Sequence, residues 1–383
     1  FMAFLNAQGH FAAPSLSPAI LNIAMIGCAL VLAPRLDPPI LSLAIGVLLG
    51  GAGQLLMQVP PAWRRGMSAH RGLDLRDPDL RRIARLMAPG VAGLAVTQVN
   101  MFIGTFLASF LSVGSISVLY YAFRLIHLPI GVFGVAIATA AFPTMARQAS
   151  HPSLRDLGTT TAYSLRLVLL MTAPCMVGLL VFRVPIVQLL FERGAFDRAL
   201  TVATANAVFF YALGLGAYVS TRILVPAFYS LQDTATPVKI GAVAVLVNIG
   251  ASLLLMWPLQ AGGLALATAL SSFVNLGLLL SSLRRRLGRL GGSPFGPWLA
   301  RLGGAAIVMG GAGLTMLHLY DPVMVGPLPL RAITLGAELA ASLAVFLAAA
   351  AWLGLGELKA LFRGAVPWWK RPSTTHLAGD AGD

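Results

Sequence analysis

The strongest constraint on this chain is a series of ten apolar runs, each long enough to cross a lipid bilayer as a helix. A spanning helix needs about 20 mostly apolar residues. The predicted spans cover 16–34, 38–59, 84–112, 115–146, 158–182, 201–229, 237–257, 261–283, 297–319 and 331–354. Inside lipid every backbone polar group must be satisfied within the segment itself, as a helix does. The sequence therefore predicts an all-α polytopic membrane protein of about ten transmembrane helices.

The composition supports lipid as the outer solvent of this chain. Only 10% of its residues are charged, and the mean hydropathy is +0.82. A soluble domain carries roughly 25% charged residues, because it must cover a surface that faces water. The two cysteines, Cys28 and Cys175, both lie in apolar runs. Neither belongs to a CxxC pattern or lies near a pair of histidines, so we predict no disulfide framework, no metal site and no cofactor.

The basic residues predict the orientation of the chain. The net charge is +14, and the basic residues gather in short runs between the apolar stretches. If the predicted spans alternate in direction, 18 Lys and Arg residues lie on one side of the membrane and 5 on the other. The richer side of a membrane protein is the cytoplasmic side, so we expect the loop 61–79 and the C-terminus in the cytoplasm. A nucleic-acid-binding surface would instead place basic residues among aromatic ones on a polar face, which excludes that function.

Arg124 is the most informative polar residue, because it lies about nine residues into the fourth predicted span. An ionisable residue within a membrane is costly and marks a functional site by default. Tyr120 and His127 share its helical face at spacings of four and three residues. Arginine suits phosphate because its planar fork offers parallel donors and keeps its charge. No acid lies within one turn of Arg124, which leaves a ligand-binding arginine in a wet cavity or a structural one that pairs elsewhere.

Further polar and small residues surround this candidate site. Beyond the polar half of the fourth span, Pro129, Gly131 and Gly134 are predicted to serve helix packing and gating. In the preceding span, a polar stripe is expected either to line the cavity or to form hydrogen bonds between helices. This stripe consists of Gln98, Thr105 and Ser109.

Other intramembrane polar residues are predicted to be structural. Asn248 and Asn275 are expected to serve helix packing. Arg166 and Arg222 are expected near the membrane boundary, where a long side chain extends its charged group towards the interface.

The sequence contains no pattern of catalytic residues. It lacks paired carboxylates within a span, an HExxH, a GxSxG and a phosphate-binding loop, so we predict that the chain is not an enzyme. Asp74, Asp77 and Asp79 alternate with arginines in the loop after the second span, as in a solvated connector. These acids also leave open the alternative that the chain is a metal-dependent transferase that acts on a polyprenyl phosphate.

Two stretches resemble the MurJ/MviN family of lipid II flippases. One is 98–139, with Leu-Tyr-Tyr-Ala-Phe-Arg-Leu-Ile-His-Leu-Pro around Arg124, and the other is 226–240, with Gln-Asp-Thr-Ala-Thr-Pro-Val-Lys. The resemblance extends from residue 1 to about residue 355. That family has fourteen spans in the bacterial inner membrane, so this chain is expected to correspond to the end of the fourth span through the fourteenth.

The resemblance implies two lobes of helices around a central cavity, followed by an extra helix pair. The expected parts are a remnant of the N-terminal lobe (1–60), a basic cytoplasmic loop (61–79), a six-helix C-terminal lobe (80–285), two helices that form a groove for the lipid tail (297–354), and a cytoplasmic tail (355–383). The implied function is movement of lipid II from the cytoplasmic to the periplasmic leaflet by alternating access. Arg124 is then expected to meet the pyrophosphate. The implied partners are lipid II, membrane lipids and proteins of cell-wall synthesis or division, and the coupling ion is left open.

The chain departs from the family pattern at three positions. Phe123 stands where the family usually has Asp, His127 where it often has Glu, and Gly104 where a polar or acidic residue is common. These departures keep two alternatives open. One is a polysaccharide-repeat or multidrug exporter of the same superfamily, although drug export favours an acid in the cavity. The other is a degenerate scaffold that does not transport.

Overall fold

A computed structural model describes residues 1–10, 12–67, 98–150, 153–288, 295–319 and 327–358, together with the single positions 78, 87, 91 and 95. Within these ranges every regular element is a helix, and no strand occurs. The predicted all-α fold is confirmed. The alternating loop acids Asp74, Asp77 and Asp79 lie outside the described residues.

The described part of the chain contains fourteen α-helices. In chain order they are α1 (Met2–Ala7), α2 (Ala12–Leu32), α3 (Leu41–Arg64), α4 (Gln98–Ala108), α5 (Ser115–Pro129), α6 (Ala136–Ala149), α7 (Arg155–Val181), α8 (Arg183–Phe191), α9 (Arg198–Leu213), α10 (Leu215–Ser230), α11 (Ala235–Leu259), α12 (Ala261–Leu287), α13 (Phe295–Leu319) and α14 (Leu328–Trp352). A 3-10 turn (Ala33–Arg35) follows α2, and a π-helical segment (Ile130–Val135) joins α5 to α6.

Most of the predicted spans are present as long apolar helices. Eight continuous helical segments of the described chain are long and apolar enough to cross a membrane, and the bent pair α9–α10 adds a ninth. The third predicted span, 84–112, is described at positions 87, 91 and 95 and from residue 98 onward, and α4 is its continuous described helix. The sixth predicted span, 201–229, corresponds to α9 and α10, which meet at an angle of 45°.

Gly214 forms the junction between α9 and α10. A Cβ atom at this position would lie 2.9 Å from the Cα of Ala269 on α12. Atoms of a side chain cannot approach a backbone that closely, so only glycine allows α12 to pass the bend. The absence of a side chain thus sets where this span bends.

The chain divides into two compact units, Phe1–Ile83 and Ala84–Asp383. In the first unit α2 packs along α3, and two glutamines of α3 hold the pair together. Gln54 Nε2 donates a hydrogen bond of 3.0 Å to the carbonyl of Ser17, and Gln58 Nε2 donates one of 2.5 Å to its hydroxyl. Hydrogen bonds between polar side chains and neighbouring helices are a common means of joining helices in lipid.

The second unit is a helix bundle in which α7 and α10 lie in the interior. Its core contains fully buried Ile126, Val168, Val208 and Phe228. Small residues fill the contacts between helices, since alanines of α9, α10 and α12 are almost completely buried. Close approach through small residues is how helices associate where lipid removes the hydrophobic driving force.

Polar contacts fix the hairpin of α11 and α12. Asn248 Nδ2 donates a hydrogen bond of 3.2 Å to the Thr268 hydroxyl, which confirms the packing role predicted for Asn248. In the turn before α11, Asp233 accepts hydrogen bonds from the Thr236 amide (2.9 Å) and hydroxyl (2.6 Å), and lies 2.5 Å from Arg286 Nη2. Partial burial works to raise the pKa of the Asp233 carboxyl, but these hydrogen bonds and the Arg286 charge together lower it below its usual value.

The last helix pair packs on the rest of the second unit through α7. α13 and α14 contact each other, and α13 contacts α7. Arg166 of α7 lies 3.6 Å from a carboxylate oxygen of Glu357, with only 14% of its side chain exposed. The prediction that Arg166 extends towards the membrane interface is therefore wrong, because it is buried against an acid that follows the last span.

Candidate functional site

The polar face predicted on the fourth span is present on α5. Arg124 Nη2 donates a hydrogen bond of 2.8 Å to the Tyr120 hydroxyl, and its Cζ lies 5.0 Å from the centroid of the Tyr120 ring. The two residues are four apart, which places them on one face of the helix. Both side chains are exposed, and no described carboxylate pairs with Arg124. Tyr120 thus orients the guanidinium while its other donors remain accessible to a ligand.

The helix changes its winding directly after this polar face. Pro129 is buried and lacks a backbone N–H, so it cannot complete a helical hydrogen bond. The π-helical segment Ile130–Val135 follows it, and such widened turns occur frequently at functional sites. The irregular turn separates the polar half of the span, with Arg124, from the half that packs on α10.

Gly134 and Gly131 differ in their surroundings. A Cβ on Gly134 would lie 3.6 Å from Val219 Cγ1 and 3.7 Å from Arg222 Cγ, both on α10. Gly134 therefore lies at a helix contact beside the stem of Arg222, where a methyl group would make ordinary van der Waals contacts. Gly131 is exposed, and no described atom lies within 4 Å of where its Cβ would be.

A polar cavity of about 630 Å³ lies within the second unit, between α4, α5, α6, α10, α11 and α12. His127 of α5 and Arg222 of α10 contribute to its wall, whereas Arg124 is not among its lining residues. Both arginines lie close enough to His127 to interact with it electrostatically. The neutral polar lining consists of Asn100, Tyr218, Thr221, Thr268, Ser271, Ser272 and Asn275.

Arg222 is the functional residue that sequence reasoning missed. It was predicted near the membrane boundary, but it lies eight residues before the end of α10 at Ser230, or about 12 Å along a helix that rises 1.5 Å per residue. Its side chain turns into the cavity over Gly134. From the sequence alone, an arginine at this position resembles one whose side chain extends towards the membrane interface. The sequence does not show that Arg222 lies beside Gly134 of another helix. The boundary location predicted for Arg222 stays a prediction, but its side chain contributes to the cavity wall.

The replacements at Phe123 and His127 change the charge of this cavity. The Phe123 ring lies 4.3 Å from the His127 ring and 5.6 Å from the Tyr211 ring, measured between centroids. The Phe123 side chain thus makes aromatic contacts with its own helix and with α9. None of the described residues that line the cavity is acidic, so its resident charge is cationic.

The polar stripe predicted on the preceding span lies apart from this cavity. Thr105 and Ser109 donate hydrogen bonds of 3.0 and 2.7 Å to carbonyls of their own segment, and Gln98 is exposed. None of the three lines the cavity, whereas Asn100 does. The structure therefore brings together Tyr120, Arg124 and His127 of the predicted residues, and it adds Asn100, Asn275 and Arg222.

A second, apolar cavity of about 510 Å³ lies between α7, α10, α12 and α13. Leu165, Met176, Phe273 and Leu302 belong to its wall, and the Arg284 side chain belongs to the same lining. No residue of α14 lines it. Within the described part of the chain, no group of three or more His, Cys, Asp or Glu residues could hold a metal ion.

Comparison with known proteins shows which sequences this chain is similar to. The chain matches the family described as "Lipid II flippase MurJ" over residues 1–334. It is 37% identical to the "Probable lipid II flippase MurJ" of Vibrio cholerae, over 94% of this chain and 69% of that protein. It is 40% identical to the protein of the same description from Haemophilus influenzae, over 74% of this chain and 56% of that protein. The "Lipid II flippase MurJ" of Burkholderia cenocepacia is 34% identical, over 80% of this chain and 60% of that protein.

A solved structure has the same fold. "Lipid II flippase MurJ, inward closed conformation" superposes with a TM-score of 0.72 at 24% identity, over 94% of this chain and 69% of that one. The chain therefore spans between 56% and 69% of the length of these related proteins.

Proposed function

This chain belongs to the lipid II flippase MurJ family, and on that premise we propose that it moves lipid II from the cytoplasmic to the periplasmic leaflet of the inner membrane. The observation that carries the proposal is the cationic character of the polar site. Arg124 and Arg222 both lie close to His127, and no acidic residue lines the described cavity. A site of this charge attracts a pyrophosphate, whereas export of cationic drugs calls for an acid.

The headgroup is the part of lipid II that needs a protein path. Its charged and sugar groups would otherwise have to cross about 30 Å of hydrocarbon, at a cost of several kcal/mol for each unsatisfied polar group. A polar cavity that opens first to one side and then to the other removes this cost, as in transporters that alternate access. The polyprenyl tail remains in an apolar environment throughout.

Arg124 is proposed as the ligand of the pyrophosphate. Its guanidinium is held by the Tyr120 hydroxyl and ring on one edge, which leaves the opposite edge to donate two parallel hydrogen bonds to phosphate oxygens. A lysine would keep the charge but lose the fork. Tyr120 acts through Arg124 and is therefore a positioning residue.

The proposal also covers the polyprenyl tail of lipid II and the orientation of the chain in the membrane. The apolar cavity beside α13 offers hydrocarbon-like walls to the polyprenyl tail, with Leu165, Met176 and Leu302 among them. The basic loop 61–79 and the C-terminus lie in the cytoplasm, where positive charge also raises the local concentration of an anionic lipid.

The proposal is tested in cells depleted of their own flippase. Lipid II that reaches the outer leaflet is measured with an externally added enzyme that cleaves it. The full-length protein should restore cleavage, Arg124→Ala should abolish it, and Arg147→Ala, which removes an exposed arginine at the end of α6, should not. A wild-type protein that restores no cleavage would support the non-transporting scaffold and contradict the proposal.

A further inference from the structure

Arg222 carries a charge that the described protein does not neutralise. Its guanidinium makes no ion pair and no hydrogen bond with any described residue, although it lies about 12 Å inside the end of a spanning helix. A charge at membrane depth is costly unless it meets water, a counter-charge or a ligand. The three charged pairs of the described structure involve other arginines, namely Arg166, Arg198 and Arg286. Arg222 is exposed and lines the cavity, so its charge meets whatever occupies the cavity, either water or a ligand.

The walls around Arg222 offer both hydrogen-bond donors and acceptors. Asn100 on α4 and Asn275 on α12 each have a buried side-chain carbonyl oxygen without a described hydrogen-bond partner. Ser271 and Ser272 lie in the same wall as Asn275, and both donate their hydroxyl protons to the Thr268 carbonyl, so their oxygens remain as acceptors. Amide and hydroxyl groups match the N–H and C=O groups of a peptide, whereas a phosphate, which is acceptor-only, has no use for a carbonyl oxygen. The cavity of about 630 Å³ is also in the size range of sites for organic ligands rather than for a single ion.

The stem of Arg222 is held where it enters the cavity. Its Cγ lies 3.7 Å from the place that a Cβ would occupy on Gly134, and Val219 Cγ1 lies 3.6 Å from the same place. The irregular π turn brings this glycine against α10. A packed stem reduces the conformational entropy that the side chain would lose on binding a ligand.

We propose that Arg222 and the cavity around it bind a carboxylate of the peptide carried by the lipid II headgroup, at a site separate from the Arg124 site for pyrophosphate. This inference rests on the proposed function. Arg124 is oriented by Tyr120 and is not part of the cavity lining, while Phe123 and His127 of the same helix are. Two separate guanidiniums allow the protein to recognise two anionic groups of one headgroup. The amides and hydroxyls around Arg222 then pair with the peptide backbone.

The test compares two ligands on the full-length protein in lipid nanodiscs. One ligand is lipid II, and the other is lipid II from which the peptide has been removed enzymatically and the carboxylate that this hydrolysis leaves on the sugar has been converted to an amide. Dissociation constants are measured for the wild type, Arg222→Gln, Arg222→Lys and Arg147→Gln. The last variant removes the same charge from an exposed position at the end of α6 and serves as the matched control.

The wild type is expected to bind intact lipid II about tenfold more tightly than the peptide-free ligand, because one charge-assisted hydrogen bond increases affinity by about that factor. Arg222→Gln should lose this preference and still bind the peptide-free ligand as the wild type does. Arg222→Lys should keep part of the preference, and Arg147→Gln should keep all of it.

Three results would overturn the inference while leaving the proposed function intact. The wild type could bind both ligands equally, Arg222→Gln could weaken both to the same extent, or Arg222→Gln could leave the preference unchanged. A fourth result would also overturn the inference and assign the cavity to a free anion. In that case chloride or acetate would stabilise the wild type but not Arg222→Gln, and the wild type would not prefer intact lipid II over the peptide-free ligand. Failure of the wild type to bind either ligand would contradict the proposed function itself.

Discussion

Trp298 and Glu357 lie 59 residues apart in the chain and are joined by a hydrogen bond of 2.9 Å from the indole Nε1 to a carboxylate oxygen. The same carboxylate pairs with Arg166 of α7, whose guanidinium Cζ lies 5.8 Å from the rings of both Trp298 and Phe295. Trp298 and Glu357 are 7% and 6% exposed. This buried cluster connects the start of α13 and the segment after α14 to the bundle, next to Phe295 and Ala162 in the wall of the apolar cavity.

Removing the acid of this cluster should destabilise the protein strongly. Glu357→Ala removes the carboxylate that pairs with buried Arg166, and breaking a buried pair costs about 3–5 kcal/mol. Trp298→Phe keeps Arg166 paired with Glu357 but removes the indole N–H and part of the packed ring, and it should cost less. The measurement is thermal unfolding of purified protein. Glu192→Ala is the control, because Glu192 pairs with Arg198 at 3.5 Å in an exposed position, where such a pair is worth at most about 1 kcal/mol. Equal losses for Glu357→Ala and Glu192→Ala would contradict the importance of the buried cluster.

A side chain at Gly214 should disrupt the bend between α9 and α10. Its Cβ would meet the Ala269 backbone at 2.9 Å, and relieving such a contact costs about 1–3 kcal/mol in a packed core. Gly214→Ala should therefore lower the unfolding temperature. Gly104→Ala, with no described atom within 4 Å of the new Cβ, should not lower it. An unchanged stability of Gly214→Ala would show that α12 does not pass the bend this closely.

Acid should weaken the turn at Asp233. Its pKa in the folded protein is lowered from the usual 3.8, so its stabilising contribution is complete above that value and is lost as the pH falls through the folded-state pKa. The unfolding temperature of the wild type should exceed that of Asp233→Asn at neutral pH, and the difference should shrink only below about pH 3.8. Arg286→Gln should lower the unfolding temperature at neutral pH by part of the amount that Asp233→Asn lowers it. A difference that already disappears between pH 7 and 5 would contradict a lowered pKa.

The parts of the fold that depend on local sequence were predictable. The length of each apolar run gave the spans, because the bilayer thickness sets the length of a spanning helix. The pairing of Arg124 with Tyr120 followed from a spacing of four residues. What could not be predicted depends on contacts between distant segments. Arg222 lines the polar cavity beside Gly134 of another helix, and the sequence of α10 alone does not show this.

Glu357 illustrates the same limit for charged residues. It lies beyond the last predicted span, in a segment that the sequence assigns to a cytoplasmic tail, and its partners Trp298 and Arg166 are far from it in the chain. No periodicity connects the three positions. The replacement of a family acid by Phe123 was visible in the sequence, but its contact with Tyr211 of α9 was not.

The most direct test of the account is the binding of lipid II to the full-length protein with and without Arg124, across a range of salt concentrations. A charge-assisted hydrogen bond to phosphate is worth roughly tenfold to a hundredfold in affinity. Arg124→Ala should therefore weaken binding by about that factor and reduce its dependence on salt, because salt screens the lost attraction. The affinity of Arg124→Lys should lie between those of the wild type and Arg124→Ala, because lysine keeps the charge but lacks the planar fork of donors. If Arg124→Ala binds lipid II as tightly as the wild type at every salt concentration, Arg124 is structural and the assignment of this site to the pyrophosphate is wrong.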